Sequence, residues 1–90
     1  MRGLLGFLIL FLLSKKPMHG QEIASELAKR RGDKPSPGTI YPALKSLKDL
    51  GFLDEEKEGK IITYALSPKG EKAFEIAKKK FTRTFLGVVT

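Results

Sequence analysis

The sequence has no cysteine, no tryptophan and no asparagine, and a single histidine. Without cysteine there is no disulfide framework, no thiolate nucleophile and no cysteine-ligated zinc. One histidine cannot build a histidine-ligated metal centre without acidic help or a second copy of the chain. Acidic residues are also scarce: 10 Asp and Glu stand against 17 Lys and Arg, a net charge of +7. Length itself is short, because a domain of 90 residues buries roughly 60–65% of its unfolded surface and cannot hold both a large core and a deep substrate pocket. A large enzyme is excluded, and the lack of disulfides fits a cytoplasmic protein.

Long apolar runs are limited to one, MRGLLGFLILFLL at Met1 to Leu13. Its apolar part is about eleven residues, against about 20 needed to span a bilayer as a helix, so no membrane span is expected. A secretory signal would need a small-residue cleavage site next, whereas Ser14-Lys15-Lys16-Pro17 follow. A helix apolar on nearly all faces must be covered on nearly all sides. A chain this short has little material for that, so Leu5, Leu8, Ile9 and Leu12 are expected to face a second subunit.

Pro17 closes that helix, and a second runs from Gly20 to Gly32, with Ile23, Ala24, Leu27 and Ala28 on one stripe. The breaker-rich stretch Gly32 to Gly38 reads as a loop or tight turn. A third helix follows over 36–50, with Ser36 as N-cap and Pro37 at its first position. Pro42 then falls inside it and implies a local distortion. Taking Ile40 as reference, Ala43, Leu44, Leu47 and Leu50 lie between about −80° and +40°, a core face. Tyr41, Lys45 and Lys48 lie at about 100°, 140° and 80° and share a second, exposed face. Gly51 has the position of a C-terminal cap. The segments Phe52 to Glu56 and Ile61 to Leu66 then read as a β-hairpin with a charged tip, Ile62, Tyr64 and Leu66 alternating onto one side. Ser67 and Pro68 open a last helix on which Phe74, Ala77, Phe81 and Phe85 recur at helical spacing. The fold class expected is α+β, mostly α: three helices, a two-stranded wing and a C-terminal helix, divided as 1–66 and 67–90.

The excess charge is not uniform. Ser14 to Lys48 holds eight basic residues against three acidic, Asp49 to Glu58 five acids and one Lys, and Lys69 to Arg83 six basic against two acidic. Such segregation points to a shaped basic surface for a polyanion. Catalysis has few means: His19 lies in a turn between helices, where a structural or capping role is expected, and no acid, base and nucleophile set can be assembled. Asp54, Glu55, Glu56 and Glu58 lack the spacing of a calcium loop and read as a solvated strand edge. The Gly32 to Gly38 segment is no phosphate loop, since Thr39 stands where the Lys is required. No cofactor, metal or effector pocket is assigned.

Three helices followed by a hairpin is the order of a winged helix-turn-helix, whose third helix enters the major groove. On that reading Lys45 and Lys48 meet phosphates or guanine edges, and Ser36, Thr39 and the first backbone N–H groups meet phosphate oxygens. Tyr41 either bonds a phosphate through its hydroxyl or flanks the core. Lys57 and Lys60 are the basic residues near the wing tip.

The segments Pro17-Met18-His19-Gly20, Glu22-Ile23, Ser36-Pro37-Gly38-Thr39-Ile40-Tyr41-Pro42-Ala43-Leu44, Gly51-Phe52-Leu53 and Tyr64-Ala65-Leu66-Ser67, with Leu47 and Gly70, resemble the PadR family of transcriptional regulators. The resemblance covers about residues 4 to 75. It implies a dimeric winged-helix repressor that binds operator DNA through the third helix and wing, which adds Pro37, Gly38 and Pro42 to the expected DNA face. It also implies dimerisation through the C-terminal region, here Phe74, Ala77, Phe81 and Phe85, with help from the first helix. Gln21 departs from the Tyr common in the family, the ascending wing strand is acidic where relatives tend to carry Arg, and the C-terminal region is short. A different class stays open: a winged-helix module for an acidic protein partner or for nonspecific nucleic acid.

Overall fold

The computed structural model describes residues 2–32 and 35–87, with side chains placed for 5–30, 32 and 35–80. Seven elements follow one another: α1 (Arg2–Leu13), β1 (Met18–His19), α2 (Gly20–Arg31), α3 (Pro37–Asp49), β2 (Leu53–Glu58), β3 (Ile61–Leu66) and α4 (Pro68–Gly87). The strands form one antiparallel sheet in the order β1-β3-β2. This is a mostly helical winged helix-turn-helix, as expected, with one strand more than the hairpin read from the sequence. Met18 and His19 pair with Tyr64 and Thr63. A strand of two residues carries no period to be read, and its partners are 46 and 44 positions away.

The core takes two fully buried side chains from each of three helices: Ile9 and Leu12 on α1, Ile23 and Leu27 on α2, Ile40 and Leu44 on α3. Each contributes roughly 1.5–3 kcal/mol by leaving water. Leu53, Tyr64 and Phe74 close the cluster from the wing and from α4. The expectation that Ile9 and Leu12 face a second subunit is corrected here. Ile9, Leu10, Leu12 and Leu13 are buried within one chain, and Phe7 and Phe11 meet the ring of Phe74 at centroid distances of 5.7 and 6.3 Å. Ile9 and Leu12 therefore have no surface left for a dimer interface, and Phe74 keeps only 8% of its own. Leu5, Leu8 and Ala77 are partly buried, and the side chains of Phe81 and Phe85 lie outside the described residues.

Local chemistry sets the element ends. His19 is the N-cap of α2: its Nδ1 accepts the Glu22 N–H at 3.3 Å while Glu22 Oε1 accepts the His19 N–H at 3.2 Å, a reciprocal capping box. The expected capping role of this histidine holds. Gly32 and Gly51 end α2 and α3 with φ of +86° and +83°, where a side chain would be strained. Pro42 does sit inside α3, which starts at Pro37.

The joint between α3, wing and α4 is built on Ser67. Its hydroxyl donates to the Gly51 carbonyl at 2.5 Å and accepts the Gly70 N–H at 3.0 Å, while its own N–H donates to the Phe52 carbonyl at 3.0 Å. A Cβ on Gly70 would run into the Phe52 carbonyl oxygen. Gly70→Ala is thus expected to cost about 1–3 kcal/mol or more in urea unfolding. Gly38→Ala, whose Cβ meets only Ser36 Oγ at 3.7 Å, should be neutral or stabilising by up to about 1 kcal/mol; equal losses at both positions would contradict this packing. His19→Ala should cost about 1 kcal/mol, and His19→Ser, which restores a capping acceptor, should recover most of it in the same measurement.

Candidate nucleic-acid interface

α3 buries Ile40, Leu44 and Leu47, so the side chains turned about 180° from them form its free ridge. That ridge comprises Gly38, Pro42, Lys45 and Asp49, flanked by Thr39 and Ser46, all exposed. The helix start adds to it. Ser36 makes no side-chain cap; its carbonyl accepts the N–H groups of Thr39 and Ile40 at 2.9 and 3.0 Å, and its hydroxyl lies 3.3 Å from Thr39 Oγ1. Pro37 has no N–H, so Gly38 carries the first-turn N–H that this carbonyl does not meet. Ser36, Pro37, Gly38, Thr39, Pro42 and Lys45 are thereby brought onto one exposed surface.

Tyr41 and Lys48 lie on the flank of the helix that faces the wing, and their environments differ from Lys45. Tyr41 is half exposed, and its ring packs over Gly20 so closely that a Cβ there would come within 2.8 Å of the hydroxyl oxygen. It borders an open groove of about 290 Å³ with Gln21, Lys60, Ile61 and Tyr64. The ring therefore flanks the core, and Tyr41 borders the groove. The groove joins Tyr41 on α3 to Lys60 at the wing tip, and it includes Gln21 and Ile61, which the sequence reading did not single out. Ile61 is 55% exposed; an aliphatic side chain so open right after a two-residue turn is the signal that could have found it. Lys57 is exposed on β2 and belongs to none of these contacts.

Lys48 is paired. Its Nζ lies 2.7 Å from Glu55 Oε1 on β2, and this hydrogen bond raises the Lys48 pKa above that of an ordinary lysine. Glu55 was read as part of a solvated strand edge; its side chain is in fact only 19% exposed, while Asp54, Glu56 and Glu58 are open to solvent. Tyr64 stands opposite Glu55 in the ladder. Burial first, and then the Glu55 carboxylate, raises the Tyr64 phenol above its usual value and keeps it neutral. Lys45 pairs with Asp49 at 3.1 Å, both strongly exposed. Among the described residues no group of three or more His, Asp or Glu is placed to hold a metal ion, and no helix is long and apolar enough to cross a membrane.

α3 thus presents one open ridge, with Lys45 and Asp49 on it, beside the wing, the arrangement of a winged helix-turn-helix. Comparison with known proteins agrees. No curated protein matches the chain. A PadR-like transcription factor from Bacteroides fragilis superposes with a TM-score of 0.87 at 27% identity, over 97% of this chain and 88% of that one. A putative transcriptional regulator from Thermoplasma acidophilum does so with a TM-score of 0.79 at 28% identity, over 98% and 91%. A PadR family transcription regulator from Clostridium difficile gives 0.76 at 25% identity, over 94% and 92%. Residues 9–76 match the model of the transcriptional regulator PadR-like family, most of the chain, and with the winged helix and its exposed third helix they establish that the protein belongs to that family.

Proposed function

We propose that the chain is a sequence-specific DNA-binding repressor that acts in the cytoplasm as a homodimer, reading operator DNA through α3 and the wing. One observation carries this reading: α3 is anchored on its core face, its opposite ridge is free along its whole length, and the wing tip lies beside it across the Tyr41–Lys60 groove. The major groove, about 12 Å wide, admits a helix with its side chains. In that pose Lys45 reaches base edges or phosphates, Ser36, Thr39 and the Gly38 N–H contact phosphate oxygens at the start of the helix, and Tyr41 and Lys60 follow the backbone between helix and wing. Gln21, at the start of α2, borders the same path. The acidic residues of β2 stay off the duplex, which leaves Lys57 and Lys60 as the wing's cations. Residues 1–66 constitute the reading unit and 67–90 the dimerising one. No cofactor enters this scheme, and no small-molecule effector is needed for it.

Selection of bound duplexes from a random pool should yield a roughly palindromic site whose half-sites are spaced by one helical turn. Affinity for that site should fall steeply with salt, and Lys45→Glu should weaken it at least about tenfold while lowering the salt slope by about 1. Equal affinity for selected and random duplexes would instead favour a nonspecific nucleic-acid module or a protein-interaction role, since specific binders typically discriminate by about 10³ or more. The dimer is tested separately. Sedimentation of the wild type should show a dimer at micromolar concentration, and Phe81→Glu with Phe85→Glu should give monomer and weaken operator binding, because two half-sites are no longer held together. A well-behaved wild-type monomer would overturn the dimeric scheme.

A further inference from the structure

We propose that Lys48 and Glu55 form a latch that sets the wing's angle against α3, so that Lys48 acts in DNA binding as a positioning residue and touches no phosphate. This rests on the DNA-binding reading for its function but on geometry for its existence. α3 ends at Asp49, and the chain reaches β2 through Gly51, whose positive φ of +83° turns it, and Phe52. β2 is an edge strand, hydrogen-bonded in the sheet only to β3. The ladder to β3 and the buried Leu53 hold its base, so what is left open is its tilt relative to α3, on which contacts that cross from one element to the other act. Among the described residues the one ion pair that joins α3 to the wing is Lys48–Glu55, at 2.7 Å.

The burial of the carboxylate decides what the pair can do. Lys48 is half exposed, but Glu55 is only 19% exposed, and it sits opposite Tyr64, itself 5% exposed in the core. A partly buried carboxylate that loses its cation keeps a desolvation cost that nothing offsets. A phosphate that recruited Lys48 would impose that cost and leave an uncompensated anion next to the duplex. Kept paired, Lys48 neutralises Glu55 and ties the strand that carries Lys57 and the wing tip to the helix that enters the groove. The acidic ascending strand thus has a use: its one inward-facing carboxylate holds the wing.

The test uses the full chain with Lys48→Met, Glu55→Gln and the double variant. Amide hydrogen exchange of residues 53–58, measured without DNA, should quicken to a similar degree in all three; unchanged exchange in Lys48→Met overturns the latch. With a selected duplex, Lys48→Met should weaken binding roughly two- to fivefold, have little further effect in the Glu55→Gln background, and leave the salt slope as in the wild type. A drop in that slope of about 1, with the same loss of affinity in the Glu55→Gln background, means that Lys48 holds a phosphate and the proposal is wrong. If the wild type selects no duplex at all, the DNA reading fails, and the exchange measurement still decides whether the latch exists.

Discussion

A helix that is apolar on almost every face has to be enclosed from several directions at once, and in a chain of ninety residues that demand falls on all the other helices and on the sheet. α1 touches α2, α3, α4 and β3. Where aliphatic cover is thin, cations complete it: Lys15 Nζ lies 4.8 Å and the Arg30 guanidinium 5.7 Å from the centre of the Phe11 ring. Their stems cover apolar surface while their charges stay in water. The enclosure fixes which side of each surrounding helix is inward. For α3 this means that Ile40, Leu44 and Leu47 turn to the core and Gly38, Pro42 and Lys45 turn out, so its exposed ridge is a by-product of burying α1.

The same demand places the wing. Phe74 must reach the rings of Phe7 and Phe11, which pins the first turns of α4 on α1. Ser67 and Gly70 then couple α4 to the end of α3, because the Phe52 carbonyl leaves no room for a larger residue and Ser67 bonds to Gly51, Phe52 and Gly70. A hairpin that starts at Leu53 and returns at Leu66 from so constrained a joint has little freedom at its base. What remains adjustable is its tilt, which is where a polar contact between β2 and α3 has leverage.

Much of this was legible in the residues. Helical stripes, the Ser36-Pro37 start, the glycine caps and the β-branched run of β3 are local signals, and each produced the element expected. Three features were not local. β1 is two residues long, too short for any period, and exists only because β3 offers its free edge. The cover of α1 within one chain draws on the aliphatic stems of Lys15 and Arg30 and on the reach of Phe74, which a count of apolar residues does not contain. The helical wheel gave Lys48 an exposed angle, about 80° from Ile40, but it could not say that the next strand would bring Glu55 to that flank. A lysine at a helix end, a glycine cap and then an acidic strand is the pattern that a wider reading of charge would have caught.

Two lysines three positions apart on α3 illustrate why net charge says so little about a binding face. Each has an acid within hydrogen-bonding distance, so neither is a free cation, and +7 overstates what the reading surface offers. They differ in the partner. Asp49 is 62% exposed and can be rehydrated when Lys45 leaves it, so that exchange for a phosphate costs little. Glu55, at 19%, cannot be rehydrated to the same extent without moving the wing. In the proposed scheme the same side chain is therefore a ligand at one position and a strut at the other, and the burial of the carboxylate opposite it makes the difference.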